Sequence, residues 1–220
     1  MFIGHYGVAF AVKSVEKRIP LWLLFLAVQF VDLLWGVLVL LGVEKARITQ
    51  EFRGSLPLDL YYMPYTHSLP AVLVWSLAAY LAYRLVASKT DSPSHRVSLL
   101  VALAVLSHWI LDLVVHRPDM PLYDDAYKLG LALWNYPLPA LALEIGIYFG
   151  GLWLYLRTTS AVTFMGKHGL ALLGLGILAI QVVVFWWPVL PSATIAAAVF
   201  LAGYLQLAAT ATWLEKKRSG

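Results

Sequence analysis

Three ionisable side chains, His108, Asp112 and His116, fall four residues apart within RVSLLVALAVLSHWILDLVVHR, residues 96–117. An α-helix brings such residues onto one face about 6 Å apart. Leu106, Ile110, Leu113 and Val114 then take the other sides. Neutral imidazole nitrogens and anionic carboxylate oxygens on one rigid scaffold are the donors a divalent cation needs. The run is long and apolar enough to cross a bilayer, and an ionisable stripe inside such a span marks a functional site by default.

Three further residues at comparable depth extend the set: Asp32, His67 and Glu144, each inside or at the edge of another apolar run. Counted at about 1.5 Å per residue from the nearest flanking charge or span start, Asp32 and His108 come to roughly 18 Å, Glu144 to roughly 20 Å, Asp112 to about 24 Å and His67 to about 26 Å. His5 would reach about 12 Å if its segment inserts. Burying one unpaired carboxylate costs several kcal/mol, whereas one bound dication offsets several such groups at once. Asp32, His67, His108 and Asp112 therefore form a candidate metal-ligand set, with His5 as a fifth ligand or as part of a second site. The plain alternative for Asp32 and Asp112 is a structural ion pair, but no Lys or Arg lies at their depth to complete one. His67 at a span end and His108 in a core admit similar readings as ordinary satisfied histidines. His116, beside Arg117, reads as interfacial; His95 and His168 fall in flanks and receive no role.

The elements that must position these residues follow from composition. The chain has 220 residues, 61% hydrophobic and 13% charged, with a mean hydropathy of +0.76. That is more apolar surface than a soluble domain of this size can bury. The expected fold is all-α, a single integral membrane domain over residues 1–220. Its six transmembrane helices lie near 20–43, 66–88, 96–117, 137–157, 168–188 and 192–214. The N-terminal MFIGHYGVAFAV is too short to span and reads as a half-inserted or interfacial helix. Residues 1–136 make the metal-site half; 137–220 supply supporting helices, the last two without charge. Trp22, Tyr136, Trp186 and Trp187 suit interfacial aromatic belts.

Of the sixteen Lys and Arg residues, Lys13, Lys17, Arg18, Arg84, Lys89, Arg96, Arg157, Lys167, Lys216, Lys217 and Arg218 fall on one side of this topology. Lys45, Arg47, Arg53, Arg117 and Lys128 fall on the other. The positive-inside rule then places both termini in the cytoplasm and the loops near 44–65 and 117–136 outside, as expected for a prokaryotic inner membrane. The basic residues form flanks rather than a stripe, so the net charge of +4 does not indicate nucleic acid. Absence of Cys excludes thiolate ligands, which leaves zinc, with manganese or iron as the alternatives.

The segments GHYGVAF, FLAVQFVDLLWGVLVLLGVEKARI, YYMPYTHSLP and LSHWILDLVVHRPDMPL, in this order over most of residues 1–122, resemble the YdjM-like family of membrane-bound proteins described as metal-dependent hydrolases. That resemblance implies a membrane-embedded metal site and a hydrolytic activity. More distantly, the order His5, Asp32, His67, His108 and Asp112 is similar to the first part of the ligand order in zinc-dependent phospholipase C and related single-strand nucleases. It implies that Asp32, His67, His108 and Asp112 hold one ion and that Asp112 bridges to a second held with His5. Those enzymes continue with two His and a His-x-x-x-Glu, whereas here His116 is followed only by Glu144.

The expected function is hydrolysis of a phosphoester, or a related bond, in a lipid or other small membrane-delivered substrate at the outer half of the bilayer. Glu144 or Asp59 would take a proton from water, Arg117, Arg53 or Lys45 would clamp phosphate, and Tyr61, Tyr62 and Tyr65 would flank the entrance. Two other classes compete: an ion- or proton-coupled transporter relaying charge through Asp32, Asp112 and Glu144, and a non-catalytic subunit with a structural metal.

Overall fold

The computed structural model describes residues 1–49, 51–52, 56–87, 95–186 and 190–219. Arg53, Lys89 and Trp187 lie outside these, as do the far ends of the 66–88 and 168–188 runs. The chain is an all-α membrane helix bundle. A short α1 (Ile3–Val15) is followed by α2 (Leu21–Val28) and α3 (Phe30–Leu40). Five longer helices follow: α4 (Leu69–Ala87), α5 (His95–Val115), α6 (Pro137–Arg157), α7 (Phe164–Trp186) and α8 (Ala193–Glu215). Each of the five is long and apolar enough to cross a membrane, and α2 with α3, bent by 57° at their break, is together long and apolar enough to count as a broken span or a re-entrant loop.

The bend corrects the picture of one straight helix over 20–43. It falls at Gln29, whose φ of −109° and ψ of 9° leave the helical region. The segment contains no Pro or Gly at the break to announce it. A helix end leaves its last carbonyls without partners inside the helix, and this end supplies one of them to the site described below.

α1 is inserted in the bundle along α6, with Ile3, His5, Tyr6, Ala9 and Phe10 fully buried. Gly7 and Gly151 allow the approach. A methyl group on Gly7 would lie 2.2 Å from the carbonyl oxygen of Ile147, and one on Gly151 1.9 Å from that of Gly7. Backbones meeting this closely are how helices associate where lipid removes the hydrophobic drive between them.

The ends of the bundle are tied by polar contacts. At one end Lys13 pairs with Glu215 at 2.6 Å, Glu215 accepts from the backbone N–H of Leu21, and Arg96 donates to the carbonyl of Val15. At the other end, Gly42 at φ +72° closes α3 in a Schellman turn, with the N–H of Val43 on the carbonyl of Leu38 and that of Gly42 on Val39. This turn delivers Glu44 and then the antiparallel hairpin of β1 (Lys45–Ile48) and β2 (Leu58–Tyr62). The loop after α5 folds back over that helix: the N–H of Leu131 bonds the carbonyl of Leu113, and that of Ala132 the carbonyl of His116.

Candidate metal centre

Asp32 stands in the first turn of α3, His67 in the turn before α4, and His108 and Asp112 one helical turn apart on α5. One ligand atom from each lies within 4.8 Å of every other. His67 Nε2 is 3.4 Å from Asp32 Oδ1 and 3.9 Å from Asp112 Oδ2. His108 Nε2 is 3.5 Å and 3.0 Å from the same two oxygens. Metal–ligand bonds of about 2.0–2.2 Å give a tetrahedron with edges of about 3.3–3.6 Å, so these four separations frame a space of the right size. All four residues share a buried group that could bind a metal ion.

The outer nitrogens of the rings explain why the inner ones face the acids. His108 Nδ1 lies 2.7 Å from the carbonyl oxygen of Val28. A carbonyl only accepts, so Nδ1 carries the hydrogen and Nε2 keeps its lone pair. Val28 closes α2, and the break at Gln29 is what frees its carbonyl for this bond.

His67 is fixed differently. The Thr66 hydroxyl donates to Glu44 Oε2 at 2.7 Å and therefore accepts from His67 Nδ1, also at 2.7 Å. Glu44 in turn accepts the backbone N–H groups of Tyr65 and Thr66. Burial pushes the Glu44 carboxyl above its ordinary pKa, while nearby His67 and these donors pull it the other way. Trp109 donates to the carbonyl of His67 at 2.8 Å, which holds the turn against α5. Ser68 starts α4 as its cap, accepting from the N–H of Ala71.

Imidazoles that donate one nitrogen to a fixed acceptor and aim the other at a common point are arranged as metal ligands are. His108 Nε2 has no hydrogen-bond partner among the described residues despite its closeness to two carboxylates. A cation between them would satisfy both.

Asp112 is the hub of a larger group. His5 Nε2 lies 3.1 Å from its Oδ1, and the His5 ring stacks on that of His108 with centroids 4.1 Å apart. The amino group of Met1 contacts the same oxygen. His116, read as interfacial from its place beside Arg117, is instead buried. Its Nε2 is 3.4 Å from Asp112 Oδ2, its Nδ1 is 2.8 Å from Asp119 Oδ1, and Trp134 packs on its ring. On Asp32, Oδ2 accepts from the Tyr204 hydroxyl at 2.8 Å. The 137–220 half therefore supplies more than packing.

Of the residues expected to act on water and phosphate, Glu144 lines the cavity that reaches the ligand set, whereas Asp59, Arg117 and Lys45 do not. Glu144 is fully buried and accepts at Oε2 from the N–H groups of Phe2 and Gly4 and at Oε1 from Gln181. It caps α1 from α6, with both carboxylate oxygens taken by these donors. Asp59 pairs with Arg47 at 2.7 Å. Strand side chains alternate in direction, so with Leu58 and Leu60 facing inward Asp59 points away. Arg117 donates to Asn135 and stacks 3.6 Å over Phe52. Lys45 lies over the ring of Tyr62 on the exposed hairpin.

A cavity of about 800 Å³ reaches Asp32, His67, Asp112, His116 and Glu144 on one side and is lined on the other by residues of α7 and α8. His5 and His108 do not line it; they approach the acids from behind. Sequence reasoning missed Glu44, Thr66, Tyr204 and Asp119. Only the short spacing from His116 to Asp119 was there to be read.

No protein-family model, curated protein or solved structure matches this chain.

Proposed function

We propose that this protein is a membrane-embedded metal-dependent hydrolase, acting on a phosphoester of a lipid or membrane-delivered substrate. The carrying observation is that Asp32, His67 and Asp112 each present donor atoms to one point and also face a cavity. A closed four-ligand site would favour a structural ion; one open side leaves room for a substrate. Two imidazoles and two carboxylates in a tetrahedral frame favour zinc, with manganese and iron as alternatives. Such an ion would polarise a phosphoryl oxygen and lower the pKa of water. The resemblance of most of residues 1–122 to the YdjM-like family implies the same activity, and the distribution of Lys and Arg favours an outward-facing site in an inner membrane with both termini cytoplasmic.

The chain's own residues supply the rest. Asp32 and Asp112 provide the negative charge, and Tyr204 orients Asp32. His116, held by Asp119 on the cavity side, is the group placed to accept and return a proton. The test begins with elemental analysis of detergent-purified protein. Wild type should carry stoichiometric metal and cleave bis(p-nitrophenyl) phosphate in a chelator-sensitive way, and His108→Ala should lose both. Metal-free wild type, or cleavage indifferent to chelator, would end the proposal.

A further inference from the structure

Gly7, Gly36, Gly151, Gly166, Gly169 and Gly174 each have a neighbouring atom where a side chain would begin. Four helical glycines, Gly146, Gly150, Gly176 and Gly203, have nothing within 4 Å of that position, and of these Gly176 on α7 and Gly203 on α8 line the cavity while Gly146 and Gly150 do not. Glycine weakens a helix, and here no close contact requires it. Its effect at these two positions is to keep open the crevice between α7 and α8.

The lining of that crevice is mostly apolar, with Leu172, Ile180 and Val183 from one helix and Val199 and Leu207 from the other, and Gln206 and Thr210 of α8 as polar exceptions. Between Leu172 and Phe185 it follows α7 for about 20 Å, deeper than one leaflet of a hydrocarbon core about 30 Å thick. Its buried polar groups gather at the end that reaches the acids. There the acids and His116 are joined by Trp35, Trp134 and Gln181, exposed by 4%, 5% and 3%. The indole N–H groups of both tryptophans and Oε1 of Gln181 have no partner among the described residues. Two lone donors and an acceptor beside a metal centre suit a head group rich in oxygen, with a hydroxyl.

We infer that the α7–α8 crevice holds the hydrocarbon tail of a single-chain phospholipid substrate, whose phosphate head lies at Asp32, His67, Asp112 and His116 between Trp35 and Trp134. The head-group end of this inference rests on the metal-centre reading above; the tail site does not.

The test uses full-length protein in nanodiscs and a lysophosphatidic acid whose palmitoyl-length tail carries a diazirine. Wild type should cross-link to α7 and α8 peptides around Gly176 and Gly203. Gly176→Phe and Gly203→Phe place a ring in open space, so both should fold, keep wild-type metal content and lose those cross-links at least fivefold. Cross-links to α4, whose surface faces outward, should not change. Leucine at either position is the smaller plug if phenylalanine prevents accumulation. Unaltered α7 and α8 labelling in the plugged variants would assign it to bulk lipid and overturn the inference. Turnover separates the two readings. Plugged variants should lose activity on a long-chain substrate but retain it on bis(p-nitrophenyl) phosphate; equal loss on both would overturn the tail site. A wild type inactive on both substrates but labelled in the crevice would defeat the hydrolase reading and leave the tail site standing.

Discussion

His108 on α5 donates from Nδ1 to the carbonyl oxygen of Val28, 2.7 Å away, across the break that separates α2 from α3. One bond thus joins a backbone irregularity to a ring orientation. If α2 and α3 were one continuous helix, that carbonyl would be taken up within it, and His108 would have no acceptor to hold Nε2 toward Asp32 and Asp112. Replacing His108 by Ala removes a metal donor and strands a buried carbonyl, a loss of about 1–3 kcal/mol in addition to any metal-linked stability. Thermal denaturation in detergent should show the variant less stable than wild type even after both are stripped with chelator. Equal stability of the two stripped proteins would count against the bond.

The Thr66 hydroxyl is the corresponding device for His67, passing one hydrogen to Glu44 and accepting another from the ring. Thr66→Val should leave the bundle folded and weaken metal binding by about 10–100-fold, the usual range for a partner that orients a ligand. Thr66→Ser should restore most of it. Competition against a chromophoric chelator measures both, and failure of serine to rescue would mean the methyl group matters rather than the hydroxyl.

Legibility from sequence was uneven for physical reasons. Asp32, His108 and Asp112 stand out because an acid or imidazole in an apolar run is costly, and their matched depths follow from helical rise alone. Glu44 and Thr66 carry no such signal, since polar residues in a loop cost nothing until folding buries them, as it does here. The break at Gln29, whose side-chain amide lies 3.5 Å from the carbonyl of Phe2, contains neither Pro nor Gly. His116 was misplaced because its neighbour Arg117 suggests an interface. The loop that returns to bond its carbonyl through Ala132, and Trp134 packing on its ring, bury it. Asp59 alternates with the buried Leu58 and Leu60 along β2, a register that the loop composition does not announce.

His116 and Asp119 make a separable prediction. His116→Asn keeps a polar side chain but cannot shuttle a proton in the same way, so turnover of bis(p-nitrophenyl) phosphate should fall by about 10²–10⁴-fold. Metal content should stay near that of wild type, because Asp32, His67, His108 and Asp112 are untouched. Loss of metal in step with activity would make His116 a fifth ligand instead.

Glu144 offers the sharpest contrast between two roles for one carboxylate. A proton acceptor loses its chemistry when converted to an amide, at a cost of about 10²–10⁴ in rate. A cap loses only part of its bonding. Gln at this position retains one carbonyl oxygen for the N–H groups of Phe2 and Gly4, while its amide nitrogen would face the donor of Gln181. Glu144→Gln should therefore lower stability by about 1–3 kcal/mol and leave turnover per folded molecule within a few-fold of wild type. Glu144→Ala, which strands all three donors, should be less stable still and should disturb His5, carried on the helix that Glu144 caps. The paired measurement is the midpoint of denaturation against kcat. A large fall in kcat for Glu144→Gln at wild-type stability would return Glu144 to the chemistry.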